Sequence, residues 1–261
     1  MDFNNIIIDR VLGGYMFSRS TNELLWKLTQ ITNPSLNCSA ETVDVVDAIG
    51  APIMTLDRAK TAELSGENAQ FDLALAGAQM GSEKVVASGE AKIKMPMFEE
   101  FVLSNSQEEI NLKYEPVGVI PFIYTLTNNS SINKKFKKGA EANATDFTHT
   151  ENQKKITLPT GLADGTVVQV YYEYESETGA MIENRADKYP VAGKFVMDIL
   201  GCDVCDQAQK MRIRVVMDNA KLTSDVDMAF TTEGTHPFTI KAMQNYCDVN
   251  KRLFSIMVVD Q

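Results

Sequence analysis

Histidine is almost missing from this chain: His149 and His236 are the only two in 261 residues. Both sit in polar or proline-adjacent segments (FTHTEN, GTHPFT) with no nearby serine, cysteine or aspartate in a triad-like pattern. Ser-His type nucleophilic catalysis therefore has no footing, and both imidazoles are expected in surface turns. A phosphate-binding GxxxxGK[ST] loop, a GxGxxG turn opening a helix, GxSxG and HExxH are all absent, which leaves nucleotide and hydrolase chemistry unsupported. The four cysteines (Cys38, Cys202, Cys205, Cys247) are too few for a disulfide scaffold in so long a chain. Cys202-Asp-Val-Cys205 comes nearest to a metal pair. A tetrahedral zinc site needs four ligands, usually from two such pairs, and Cys38 and Cys247 stand singly. No metal and no cofactor are expected, and the two paired thiols should be dispensable. No apolar run is long enough for a membrane span or a signal peptide, so the chain is expected to be made in a cytoplasm and stay there.

Basic residues are also in deficit. Against 35 Asp and Glu there are 25 Lys and Arg, a net charge of −10 at pH 7, which argues against a protein that wraps nucleic acid by neutralising phosphates. A surface past which nucleic acid slides is still permitted. Acidic clusters occur at Glu99-Glu100, Glu108-Glu109 and Glu173/Glu175/Glu177. The last three alternate with Tyr174 and Ser176, which places them on one wet face of a strand. A glycosidase pair would need two carboxylates facing each other across a sugar-sized gap, and no spacing in the sequence shows that. One tryptophan and eight tyrosines are a poor supply for a carbohydrate-binding sandwich.

What the chain does have is strand-like patterning and enough apolar residues, 44%, for a real core. The runs TVVQVYYEYE (166–175), KFVMDIL (194–200), MRIRVVMD (211–218), DVDMAFTT (225–232) and RLFSIMVVD (252–260) are each bounded by Gly, Asn, Asp or Pro turn chemistry. ELLWKLTQI (23–31) is a further strand, and residues 41–65 are a meander of short antiparallel runs. NAQFDLALAGAQM breaks the rhythm, with Asn68 as N-cap, apolar residues at helical spacing and Gly81 as the stop, and predicts one helix over about 68–80. KVVASGEAKIKM (84–95) is hairpin-like with its turn at Ser88-Gly89. Residues 128–155 hold few apolar side chains and four lysines around Phe136. They are expected as a long polar loop, either a solvated connector or a contact arm that orders only against a neighbour. In the second case Lys134, Lys135, Phe136, Lys137 and Lys138 form a subunit interface. The expected fold is mainly β, an antiparallel sandwich or barrel with one flanking helix. Residues 1–261 are read as a single domain carrying that polar insertion, although the length also suffices for two small domains.

Two stretches resemble a known family. They are ETVDVVDAIGAPIMTLDRAKTAELSGENAQFDLALAGAQMGSE (41–83), and the run from NRADKYPVAGKFVMDILGCDVCD through MRIRVVMDNAKLTSDVDMAFTTEGTHPF to RLFSIMVVD. They look like the major tail tube proteins of long-tailed bacteriophages, over about two thirds of the chain, in the TLDRAKTAELS strand-turn-strand that leads into the helix and in the terminal strand. The resemblance implies a non-enzymatic virion protein of the phage tail, with six copies closing into a ring and rings stacking into a tube through which DNA passes without specific binding. Its partners would be further copies of itself, the tape measure protein, tail terminator or neck and baseplate proteins, and a sheath if the tail contracts. Assembly would take place in the host bacterial cytoplasm, with no membrane and no cofactor involved. The same composition also permits a head decoration or neck component. The lumen-facing side chains are not assigned.

Overall fold

The computed structural model describes residues 5–260 except Asn129, Glu233 and Cys247. It contains, in chain order, β1 (Ile6–Ser18), β2 (Leu24–Leu28), β3 (Ile31–Val46), β4 (Pro52–Asn68), α1 (Leu73–Met80), β5 (Val85–Val86), β6 (Ile93–Val102), β7 (Glu109–Asn111) and β8 (Phe122–Leu126). There follow β9 (Ile132–Lys138), β10 (Asp146–His149), β11 (Lys155–Thr157), β12 (Val167–Ser176), β13 (Ala180–Met181), β14 (Gly193–Asp203), β15 (Lys210–Leu222), β16 (His236–Ala242) and β17 (Ser255–Asp260). The protein is mainly β, with a single helix among the described residues, as the strand patterning predicts. The chain divides into two compact units, 1–84 with 182–261, and 85–181.

In the first unit eight strands form one sheet that nearly closes on itself, in the order β2-β1-β14-β15-β16-β4-β3, with β17 also paired to β15. Period-2 alternation fixes its inner face. Phe195, Met197 and Ile199 of β14 lie opposite Met217, Val215 and Ile213 of β15, and all six are buried. Each such side chain contributes about 1.5–3 kcal/mol on leaving water. β1 approaches this core closely because Gly14 carries no side chain; a Cβ there would meet Ile31 at 2.9 Å and Phe195 at 3.1 Å.

Helix α1 packs Leu75 and Ala76, both 0% exposed, onto the barrel. It starts later than the sequence predicts. Asn68 is held in the ladder between Ile31 of β3 and His236 of β16, so the cap falls to Asp72. Its extended backbone (φ −120°, ψ 113°) lets the carboxylate accept from Ala74 N at 2.7 Å and Leu75 N at 3.0 Å. Gly81 ends the helix as expected, in the left-handed region at φ +70°.

Two other expectations change. DVDMAFTT forms no strand; the β16 segment HPFTIKA takes its place and buries Phe238 and Ile240 between β15 and β4. The Ser88-Gly89 turn does form, with Ser88 N donating to Ala91 O at 2.9 Å. The strands flanking it do not pair with each other, because β5 pairs with β13 and β6 with β12.

The second unit is a seven-stranded sheet, β6-β12-β8-β9-β10-β11-β7, antiparallel except where β9 meets β10. Its core holds Ile110, Ile123, Phe136, Phe147, Val168 and Tyr172. The expected long polar loop over 128–155 instead contributes two strands to this sheet, β9 and β10. Two aromatic residues explain this: Phe136 is 1% exposed and Phe147 0%, and with strand alternation around them the lysines need only point outward. Composition understates order here because a strand needs an apolar residue only at every second position. The substitution Phe136→Ala is expected to destabilise the protein by about 3–5 kcal/mol in urea unfolding. Lys137→Ala should stay within about 0.5 kcal/mol.

Candidate assembly surface

The outer half of β3 and β4 has no core to serve. Every residue from Asn37 to Thr61 is exposed, whereas Ala62 and Leu64 beyond them are buried. This part of the hairpin is an arm that extends about 30 Å from Ser39 to its turn at the usual strand rise. Its register pairs Glu41 with Arg58, Val43 with Leu56 and Val45 with Met54 on one face, and Thr42 with Asp57 and Asp44 with Thr55 on the other. Beyond Glu41 and Arg58 one face is thus a row of four apolar side chains, and the other holds Thr42, Asp57, Asp44 and Thr55 before exposed Val46, with Thr55 Oγ1 donating to Asp44 Oδ1 at 2.6 Å. The three short runs expected over 41–65 are these two long strands, and the DRAK segment is a bulge, with Ala59 at φ +45° and a register shift at Ser39/Glu41.

The arm ends in a tightly tied turn. Asp47 Oδ1 accepts from Ile49 N at 2.9 Å and from Ala51 N at 2.8 Å, Asp47 N donates to Ala51 O at 2.9 Å, and Gly50 takes φ +86°. Ile49, at the tip, is 89% exposed. A two-stranded ribbon in water is marginal on its own, and a contiguous exposed apolar row marks an interaction site. The sequence signal for this was present in the alternation of VDVVD and PIMTLD around DAIG. That neither face is covered was not readable from it.

The first unit shows a second apolar strip along β17, where Ile256, Met257 and Val259 are exposed. Beside it, on β14 and β15, Asp198 is nearly buried and ion-paired with Arg212, with Arg214 at 3.8 Å.

The residues singled out from the sequence do not converge on a site. Lys134, Lys135, Lys137 and Lys138 are exposed on β9, while Phe136 between them faces the core. Lys135 Nζ sits 3.6 Å from the Phe122 ring centroid, and Lys134 Nζ donates to Ala144 O at 3.3 Å. Cys202 is buried and Cys205 exposed, with Cys205 N bound to Asp203 Oδ1 at 2.7 Å; Cys38 is exposed on β3, and Cys247 lies outside the described residues. Among the described residues no group of His, Cys, Asp or Glu could hold a metal ion. Glu173 and Glu175 are exposed along one face of β12 as expected, and Glu177 pairs with Lys92 at 3.1 Å. Glu99 ties elements of the second unit together, because it accepts from the Tyr172 hydroxyl and from Lys113 N at 3.0 Å. Burial, and then Glu99, push the Tyr172 hydroxyl's pKa well above its ordinary value. Among the described residues no helix is long and apolar enough to cross a membrane.

The two histidines are buried, not in surface turns as the polar flanking residues suggested. His149 is 4% exposed; its Nε2 bonds Gln153 O at 2.8 Å and Ile120 N donates to its Nδ1 at 3.4 Å. His236 is 1% exposed and its Nε2 meets Gln79 Oε1 at 2.7 Å, tying β16 to α1. These contacts, two for His149 and one for His236, suit the neutral ring. Burial lowers both pKa values, against an upward pull from the Gln153 carbonyl on His149 and from Asp72 on His236. The unfolded chain then binds protons that the folded one refuses. The linked stability is complete above the free imidazole value of about 6.5 and is lost as pH falls below it. Thermal unfolding of the dilute subunit is expected to show a constant Tm from pH 8 to 7 and a falling one towards pH 5. A His149→Gln/His236→Gln double variant should lose stability at neutral pH and show a shallower acid slope.

No curated protein matches this chain. The sequence model of the YomU/Tube protein family, by contrast, matches residues 6–253, which takes in both compact units and the whole arm. The chain belongs to the YomU/Tube protein family.

Proposed function

We propose that this protein is a major tail tube protein of a long-tailed bacteriophage, a non-enzymatic virion component that self-assembles into hexameric rings stacked as a tube for DNA delivery. Two observations support the reading: membership of a tube protein family, and an arm exposed on both faces whose apolar row, Val43, Val45, Met54 and Leu56, has no cover within the subunit. The arm carries the argument. Its apolar face is buried against an adjacent copy, and its acidic face, Asp44 and Asp57 among threonines, is turned to the channel, where it repels the DNA backbone so that nucleic acid passes without sticking. Edge strands that would otherwise invite irregular pairing are used up by a closed ring. The lysines of β9 (Lys134, Lys135, Lys137, Lys138) meet acidic groups of a neighbouring copy in this net-negative protein. Tape measure, terminator or neck and baseplate proteins, and a sheath in a contractile tail, are the further partners of such a tube, which is built in the host cytoplasm.

Analytical ultracentrifugation and negative-stain imaging at rising concentration are expected to show rings and then tubes. A variant whose residues 42–57 are replaced by a two-residue Asn-Gly turn should keep the fold and remain monomeric. Wild-type protein that stays monomeric throughout, and is missing from purified tails, would sink the reading. Reversing all four β9 lysines to Glu should weaken assembly more at 20 mM than at 500 mM salt, since exposed pairs are worth about 0–1 kcal/mol and are screened.

A further inference from the structure

The first unit carries an open groove of about 700 Å³ bounded by the β1–β2 turn, helix α1 and the segment before β14. Part of its lining is apolar: Leu24 and Leu25 from β2, Ala74 and Ala78 from α1, and Val191. Leu24 is 51% exposed, Leu25 48% and Val191 72%, although Trp26, next along β2, is buried in the barrel core. Polar side chains, Ser18, Arg19, Ser20, Ser82, Glu83 and Lys84, line the rest of it. Arg19 is held in place by Asn219 Oδ1 at 3.1 Å and Asn245 Oδ1 at 3.4 Å, and Lys84 and Glu83 stand at the end of the groove that follows the helix.

The same unit also carries a projection of matching chemistry. The arm tip presents Ile49, 89% exposed, with Val46 and Ile53 behind it at 52% and 67%. Asp47 supplies a carboxylate at the base of the turn, and the turn is rigid because that carboxylate holds two backbone N–H groups. A preformed tip loses little entropy on docking.

Resting on the tube reading above, we propose that this groove receives the arm tip of a second copy of the chain. Ile49 seats among Leu24, Leu25 and Val191, and the Asp47 end of the turn lies towards Arg19 and Lys84. The seat for Ile49 is apolar and the incoming turn acidic, so the cationic side chains near it select orientation more than they add affinity. Each copy then offers one tip and one groove at different places on its surface. Such a heterologous contact propagates from copy to copy and closes into a ring when the rotation per copy allows. The tip and the groove are both exposed in the subunit, so each can meet its counterpart on a neighbouring copy.

Cysteine cross-linking tests this. In a background with Cys38, Cys205 and Cys247 replaced by Ser, the double variants Ile49→Cys/Leu24→Cys and Ile49→Cys/Leu25→Cys are assembled, checked by microscopy and oxidised mildly. Two positions on β2 are used because a disulfide requires Cα atoms within about 4.4–6.8 Å. At least one double variant is expected to give a ladder of covalent oligomers on a non-reducing gel, and the single variants none. Rings or tubes that form without a ladder in either variant overturn the groove assignment and leave the tube reading standing. Failure of the background protein to assemble at all overturns both. Independently, Ile49→Asp should raise the concentration needed for assembly at least about tenfold with the subunit's Tm unchanged, whereas Ile49→Leu assembles as the wild type does. If Ile49→Asp assembles like the wild type, the tip does not dock in an apolar groove.

Discussion

A β-strand has two faces and two edges, and each of them must be covered by protein or conceded to water. Most of this molecule follows from how that demand is met and where it is left open. In the first unit β14 and β15 are paired on both edges, and their inner residues fill a barrel. The same two strands of backbone that help to close the barrel as the inner parts of β3 and β4 then run on past it. From Asn37 to Thr61 the cross-strand ladder continues although the core has ended. A ladder without a core is a poor source of stability. It nevertheless persists here over many residues, with Val43, Val45, Met54 and Leu56 together and exposed on one face.

The buried polar groups are arranged so that nothing charged is needed inside. His236 joins helix α1 to the barrel through Gln79, and the helix in turn covers one part of the core with Leu75 and Ala76. Tyr172 reaches across from β12 to Glu99 on β6 and accepts from Tyr114 N at 3.1 Å, closing a small network at the rim of the second core. Asp198 differs from these. It is an anion on the outer surface of the barrel, nearly buried by its own arginines, and a pair of that type in a half-dry setting serves geometry more than stability.

Much of the fold was legible in the sequence because period-2 alternation is a direct consequence of strand geometry. β2, β12, β14, β15 and β17 all fall where the alternating runs stand. The departures have separate physical causes. DVDMAFTT alternates as well as any strand, yet joins no sheet among the described residues, because alternation reports a possible face and says nothing about an available edge. Asn68 is a good capping residue by type, but ladder pairing on both sides holds it in β4, and the cap passes to Asp72. The segment 128–155 is too polar to fold by composition, although two phenylalanines at the right positions are enough to seat β9 and β10. The assembly surface was the least legible part. Its residues read as ordinary half-buried strands, and exposure on the second face is a tertiary fact that a one-dimensional pattern does not carry.

Charge is distributed in keeping with this division. Along the arm Asp44 stands opposite Thr55 and Asp57 opposite Thr42 on one face, while the other face holds Glu41 opposite Arg58 and then the four apolar side chains. Ordinary exposed edge strands carry charged side chains that keep them from pairing irregularly. Segregation instead gives the arm one face that seeks an apolar neighbour and one that keeps its water. The net charge of −10 is therefore not spread evenly over the arm: two aspartates stand on the face opposite Val43, Val45, Met54 and Leu56.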